Sequence, residues 1–108
     1  MEIKKIFEAE PFVNGHGVEA RKFHQDEYMM MVHLNLNPGD TIAKHAAPLD
    51  VRFLVLEGKG IVEIGDESKE VEANTLIESP ANCGHGWRNE SDEVLRILVM
   101  KMQASTKK

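Results

Sequence analysis

The sequence predicts an all-β fold, a single small sandwich or barrel built from short strands. Apolar runs of four to eight residues recur along the chain, and glycine, proline and asparagine turns separate them. The stretches with helix-friendly composition are short and are interrupted by glycine or proline. The predicted strands cover residues 29–36, 41–45, 51–56, 61–64, 68–71, 75–78, 86–89 and 94–102. Closing such strands into a barrel removes the exposed edges that would pair with other chains.

Turn chemistry places the boundaries of these strands. Pro38 and Gly39 end the first one, because proline fixes φ and glycine can adopt a positive φ. Residues 57–60 (EGKG) form the next strong turn, and we expect strands 51–56 and 61–64 on either side to pair as a hairpin. Residues 65–67 (GDE) turn the chain into the following strand.

Length and composition predict one domain, residues 1–108, with a short tail at 103–108. The single cysteine, Cys83, excludes an intramolecular disulfide and fits a reducing compartment. Neither a secretion signal nor a membrane-length apolar run is present, so we expect a cytoplasmic protein without a membrane partner. The net charge of −5 and the scattered cations argue against binding to nucleic acid.

The strand at residues 51–56 (VRFLVL) is largely apolar on both faces, as is the strand at 94–102. One face fills the interior of the barrel, and the other needs a cover, either a second sheet or another subunit. The sequence therefore predicts a homodimer.

Two segments resemble the paired motifs of the cupin superfamily. The first has Gly39, five residues and then His45, and closes at Gly58 in the stretch VLEGKG. The second has Pro80, His85 and Asn89 at the family spacing, in SPANCGHGWRN. Asn74 and Asn82 occupy two glycine positions of that motif, and asparagine is the non-glycine residue best suited to positive φ. The resemblance implies a single-domain cupin β-barrel, a jelly roll or double-stranded β-helix, with its core at residues 36–102.

The resemblance also implies a metal centre, with two histidines and a glutamate from the first motif and one histidine from the second. By position these are His45, residue 47, residue 51 and His85. Ala47 and Val51 stand at two of the positions, and neither side chain carries a lone pair. We expect at most a weak site for Zn, Fe, Mn, Ni or Cu that uses His45 and His85, because stable sites present three or more protein ligands.

Three residues are candidates for a third ligand. Asp50 adjoins position 51 and would point inward if a bulge near Pro48 turned it, although a turn or surface role is the simpler interpretation. Cys83 has a thiol suited to soft metals, but it is also a typical small buried filler. His33 lies on the preceding strand, where a hydrogen-bonded core or interface role is more common.

The remaining pocket predictions follow from strand alternation and position in the motifs. Trp87 shares a face with His85 and Asn89, so it is expected to wall the pocket. The other predicted lining residues are Asn89, Ala47, Val51 and Phe53. His16 and His24 lie in polar surroundings and are expected on the surface, while the Met29–Met31 run is expected to pack as apolar filler.

Three functions fit this sequence. The first is binding of a small organic ligand, with or without a labile divalent metal at His45 and His85. The second is a metal-dependent enzyme of dioxygenase or isomerase type acting on a small organic substrate, as the resemblance to cupins allows. The third is a structural role for an empty barrel. We favour the first, because two certain histidines hold a catalytic metal poorly.

Overall fold

The computed structural model describes residues 1–102, and the predicted tail at 103–108 lies outside them. These residues form ten strands and one short 3-10 helix, Ile6–Glu8. The strands are β1 Pro11–Val13, β2 Glu19–Gln25, β3 Met29–Leu36, β4 Thr41–His45, β5 Val51–Glu57, β6 Lys59–Ile64, β7 Glu67–Glu72, β8 Leu76–Ser79, β9 His85–Arg88 and β10 Leu95–Met102. The all-β class is confirmed, and each predicted strand is found within two residues of its predicted ends.

The strands form two antiparallel sheets that face each other. The larger sheet has the order β1-β2-β3-β10-β5-β8, and the smaller has the order β4-β9-β6-β7. Period-two alternation explains the core: Val51, Phe53 and Val55 of β5 are buried, while the residues between them are half-buried. The other buried apolar side chains come from both sheets and include Trp87, Leu36 and Ile97, so a single core fills the space between the sheets.

The predicted hairpin between strands 51–56 and 61–64 is wrong. β5 pairs with β10 and β8 in the larger sheet, whereas β6 pairs with β7 and β9 in the smaller one. The chain changes sheets at Gly58, which has a φ of +84°. Turn residues indicate where the chain changes direction but not which strands pair. Here β5 forms its backbone hydrogen bonds with β8 and β10, which are distant in sequence. The predicted turn at 65–67 does join a hairpin, β6 with β7.

Two asparagines occupy the positive-φ positions that the motif resemblance assigns to glycine. Asn74 has a φ of +72° and Asn82 a φ of +67°, and every other positive φ among the described residues belongs to glycine. These two positions confirm that the asparagine substitutions keep the local backbone conformation of the motif.

The sequence did not predict β1 and β2. They pair around a turn at residues 14–17, where the Asn14 side-chain oxygen accepts hydrogen bonds from the backbone N–H groups of His16 and Val18. β2 was missed because its sequence, EARKFHQ, is mostly polar. The asparagine and two glycines of the turn (NGHG) were the available signal. Within residues 1–102, no helix has the length and apolar character needed to cross a bilayer.

Candidate functional site

A cavity of about 520 Å³ lies inside the barrel between the two sheets. Most of its wall is apolar, and its polar part consists of three histidines, two lysines, Asn14 and Trp87. The exposed lining residues define what we call the mouth: Phe12, His16, Lys22, His45 and Lys101. An enclosed apolar space with a few polar groups in its wall is the usual form of a small-molecule site.

His45 and His85 lie side by side in the smaller sheet. They are directly opposite in the register of β4 and β9, and their ring centroids are 4.8 Å apart. An irregularity in the pairing of β4 between Ile42 and His45 precedes this contact. His45 is exposed at the mouth, whereas His85 is only 6% exposed. The two residues predicted as the working site are therefore brought together.

Each of these rings has one nitrogen engaged by the protein. The Nδ1 of His45 lies 3.0 Å from the carbonyl oxygen of Ala43, and a carbonyl only accepts, so Nδ1 carries the proton and donates. The lone pair of neutral His45 is therefore on Nε2. The Nδ1 of His85 lies 3.1 Å from the hydroxyl oxygen of buried Ser79. Such outer hydrogen bonds orient histidines that bind metals.

Burial, followed by the nearby positive charges of His45 and Lys101, lowers the pKa of His85 from 6.5 to about 4. At neutral pH this imidazole is uncharged. It can therefore offer a nitrogen lone pair to a metal, or exchange hydrogen bonds with a ligand, without first losing a proton.

His16 was predicted to be a surface residue, and it is exposed, but it also lines the cavity. Its ring centroid lies 5.0 Å from that of His45, with the planes inclined by 32°. The turn between β1 and β2 carries it there. This placement could not be predicted from the sequence without β1 and β2, because their hairpin is what folds His16 over the mouth.

Three predicted pocket residues, Val51, Phe53 and Trp87, line the cavity. The ring of Phe53 contacts both His85 and Trp87 edge to face, at centroid distances of 5.2 and 5.5 Å. Trp87 is 1% exposed, and its indole Nε1 has no hydrogen-bond partner within residues 1–102. An orphaned buried donor is uncommon in a folded protein, and it is often paired by a water or a ligand.

Ala47 and Asn89, also predicted for the pocket, do not line it. The backbone carbonyl of Ala47 accepts a hydrogen bond from the Asn82 N–H. The side chain of Asn89 is buried and donates to the carbonyls of Leu36 and Glu93, at 3.0 and 2.8 Å. Asn89 therefore ties the loop after β9 to the end of β3.

Neither Asp50 nor Cys83 is among the residues that line the cavity. The carboxylate of Asp50 accepts a hydrogen bond of 2.8 Å from the backbone N–H of Ala81, which joins the loop before β5 to the turn after β8. Cys83 is half-buried in the turn before β9, near Gly65. Asp50 therefore holds two loops together around the second motif.

His33, the third candidate, faces the opposite side of the larger sheet from the cavity. It is 1% exposed, its ring contacts Phe7 edge to face, and its Nε2 accepts a hydrogen bond of 3.0 Å from the Arg96 Nε–H. The segment around the 3-10 helix covers it. His33 is therefore a buried, hydrogen-bonded residue, which is the alternative to metal binding given for it above.

We expect the free energy of unfolding to depend on pH because of His33. Burial, followed by the charges of Arg96 and Arg21, lowers its pKa from 6.5 to about 4. The unfolded chain therefore binds more protons between pH 6.5 and 4, so His33 costs stability as the pH falls through that window. We expect a contribution of about 1–2 kcal/mol between pH 7.5 and 5, at roughly 1.4 kcal/mol per pKa unit.

The measurement is the free energy of unfolding by urea at both pH values, in the parent and in His33→Gln, whose amide oxygen can still accept from Arg96. The variant should lose less stability on acidification, by about 1–2 kcal/mol. Equal losses in both proteins would show that His33 titrates in the folded state as it does in the unfolded chain.

The donor set fits a weak, open metal site and not a closed one. His45 and His85 supply two adjacent imidazoles, each with Nδ1 already engaged. Within residues 1–102, however, no three histidine, cysteine, aspartate or glutamate side chains are placed to hold one metal ion. The ring of His16 stacks beside His45 without completing such a group. Water or a ligand would have to fill the remaining coordination positions.

Comparison with known proteins supports the same fold. The family model described as "Cupin domain" matches residues 32–101. No curated protein matches the chain. A solved structure from Thermus thermophilus, the protein TT1209, is 28% identical, with 95% of this chain and 98% of that chain covered and a TM-score of 0.83.

Two more distant structures share the fold. The polyketide cyclase RemF from Streptomyces resistomycificus is 18% identical, with 94% of this chain and 79% of that chain covered and a TM-score of 0.84. An uncharacterised protein from Klebsiella pneumoniae, described as having a double-stranded β-helix domain, is 18% identical, with 95% and 90% covered and a TM-score of 0.82. The family match spans most of the chain and includes His45 and His85, and the chain therefore belongs to the cupin domain family.

Proposed function

We propose that this protein binds a small organic molecule in the cavity between its two sheets. The observation that carries the proposal is a largely apolar cavity of about 520 Å³ whose wall includes His45, His85 and the buried Trp87. A cavity of this volume suits a small ligand.

Different side chains of the cavity would contact different parts of the ligand. Val51 and Phe53 exclude water and contact an apolar part of the ligand, which is the source of most of the affinity. The neutral imidazole of His85 and the Nε2 of His45 offer hydrogen bonds that orient a polar group. Because Phe53 packs against both His85 and Trp87, its ring holds these two polar side chains in position.

The proposal includes a weak site for a divalent transition metal at His45 and His85. The support is the adjacency of the two rings and the hydrogen bond that engages each Nδ1, an arrangement suited to coordination through the other nitrogen. A bound metal would supply a Lewis-acidic point for an oxygen of the ligand. The missing carboxylate and third histidine predict weak affinity.

The metal content of the purified protein tests the proposed metal site directly. Protein purified without a nickel column should retain substoichiometric Zn, Fe, Mn, Ni or Cu by elemental analysis, and should bind added Zn²⁺ in calorimetry. The His45→Gln/His85→Gln double variant should lose both properties, because glutamine is a poor transition-metal ligand. His24→Gln, at a histidine outside the cavity, is the matched control and should behave as the parent.

The outcomes separate the two candidate functions. Equal and negligible metal in the parent and the double variant, with no Zn²⁺ binding in either, would remove the metal site and leave ligand binding to be tested by itself. Stoichiometric iron or manganese in the parent, lost in the double variant, would favour the alternative, a metal-dependent enzyme acting on a small organic substrate.

The predicted homodimer remains a proposal. Its support is the outer face of the larger sheet, where Leu54, Leu98 and Met100 are only half-buried, and the exposed Leu76, which pairs with Leu54 at the edge of that sheet. A second copy of the chain would cover such surfaces.

A further inference from the structure

We propose that the ligand of this cavity is a small organic anion with an apolar body, and that Lys22 and Lys101 bind its negatively charged group at the mouth. This inference rests on the proposed function and names the chemical class of the ligand.

Strand alternation places both lysines on the inner face of the larger sheet. Lys22 follows the buried Ala20 by two residues in β2, and Lys101 follows the buried Val99 by two residues in β10. In the register, Lys22 is opposite Val32, which also lines the cavity. Lys101 is opposite Val51, another lining residue. Each lysine therefore occupies the position at which the apolar inner face meets the mouth.

The charge of the cavity contrasts with that of the chain. The sequence has 18 acidic and 13 basic residues, for a net charge of −5. Among the described residues that line the cavity there are two lysines and three histidines but no aspartate or glutamate. The two side chains of the cavity wall that carry a full charge at neutral pH, Lys22 and Lys101, are therefore both positive.

The positive charge at the mouth is not neutralised within residues 1–102. In this described part of the chain no ion pair joins either Lys22 or Lys101 to a carboxylate, whereas each of the four arginines, Arg21, Arg52, Arg88 and Arg96, pairs with a glutamate. An anion entering the mouth would meet two ammonium groups that lack a competing carboxylate, and charge-assisted hydrogen bonds of this kind are among the strongest. The apolar wall behind the lysines would bury the body of the same ligand.

A simpler interpretation is that these lysines are solvated charges at strand ends that only keep the edge soluble. The two interpretations differ in a measurable way. A solubilising charge gives no preference between a carboxylate ligand and its neutral amide, whereas a binding charge favours the carboxylate and loses that preference when the charge is removed.

The test compares matched probes: 3-phenylpropanoate, 3-phenylpropanamide and 3-phenylpropylamine, together with hexanoate and hexanamide as an aliphatic pair. Binding is measured by calorimetry and by the fluorescence of Trp87, which lines the cavity and is the single tryptophan of the sequence. All titrations are carried out both with and without EDTA. We expect each carboxylate to bind at least tenfold more tightly than its amide at low salt, and the amine to bind most weakly.

The Lys22→Gln/Lys101→Gln variant should bind the amides as the parent does and should prefer carboxylates by less than threefold. Lys59→Gln/Lys69→Gln removes the same charge from β6 and β7, outside the cavity, and should keep the preference. Raising NaCl to 0.5 M should weaken carboxylate binding and leave amide binding unchanged, because only the former depends on charge.

Several outcomes would overturn the inference. Equal affinity for carboxylate and amide in the parent would refute it and leave the proposed function standing. A preference retained in the Lys22/Lys101 variant, or one that disappears in EDTA, would assign the anion to other groups or to a bound metal. If none of the probes bound at millimolar concentration, the proposed function would fail together with the inference.

Discussion

Gly58→Ala is expected to lower the free energy of unfolding by about 3–5 kcal/mol, the largest effect that we predict for a single methyl group. Gly58 lies where the chain leaves β5 for β6, and its φ of +84° is strained for any residue with a Cβ. A Cβ at this position would also overlap the backbone carbonyl oxygen of Val94. That oxygen cannot easily move, because the next residue, Leu95, is fully buried at the start of β10.

Gly39→Ala is the matched control for Gly58→Ala. Gly39 has a similar φ of +91°, but a Cβ there would meet no atom within 4 Å. It should therefore show the backbone strain alone, about 1–2 kcal/mol. Urea unfolding of both variants gives the comparison. Equal losses would mean that the loop containing Val94 relaxes and that the crossing between the sheets is not tightly packed.

Asn89→Asp is expected to cost about 3–5 kcal/mol, although the two side chains have nearly the same shape. The asparagine amide is 1% exposed and donates to the carbonyls of Leu36 and Glu93, while its oxygen accepts from the backbone N–H and the hydroxyl of Ser91. Aspartate keeps the acceptor but has no N–H group. It would therefore leave two carbonyls without their donor and place a negative charge beside them.

Asn37→Asp, at an exposed turn asparagine, is the control for Asn89→Asp and should change stability by less than about 1 kcal/mol. Chemical unfolding at pH 7 measures both. The Asn89→Asp variant should also recover part of its stability at pH 4, because a protonated carboxyl group can donate one hydrogen bond. Wild-type stability at pH 7 would show instead that the loop after β9 does not depend on this amide.

Much of the fold could be predicted because turn residues and strand periodicity are local signals. The strands from Met29 to Met102 were predicted close to their observed ends, and Asn74 and Asn82 adopt the positive φ that their motif positions require. The pairing of strands was harder, since a hairpin between β5 and β6 looked reasonable from their spacing alone. The polar strand β2 was not predicted, because few of its side chains are apolar and point inward. The neighbouring strands of the sheet supply the other apolar side chains of that part of the core.

The candidate site could likewise be predicted only in part. Motif spacing predicted that His45 and His85 lie together, and strand alternation predicted that Trp87 faces the same pocket; all three residues line the cavity. His16 was missed because no local pattern in a polar turn indicates which distant side chain it will contact. Asn89 shares the face of His85 and Trp87 by alternation, yet it lies beyond the cavity because its amide bonds the loop that follows.

The sequence by itself determined the all-β architecture, the paired histidines and the absence of a full ligand set at positions 47 and 51. These properties depend on residue type and spacing along one or two neighbouring strands. Only the tertiary structure decided that His16 joins the mouth, that Lys22 and Lys101 share it, and that His33 faces away from the cavity. Those placements depend on which strands pair and which face turns inward, and both are set by burial of the whole core rather than by any local segment.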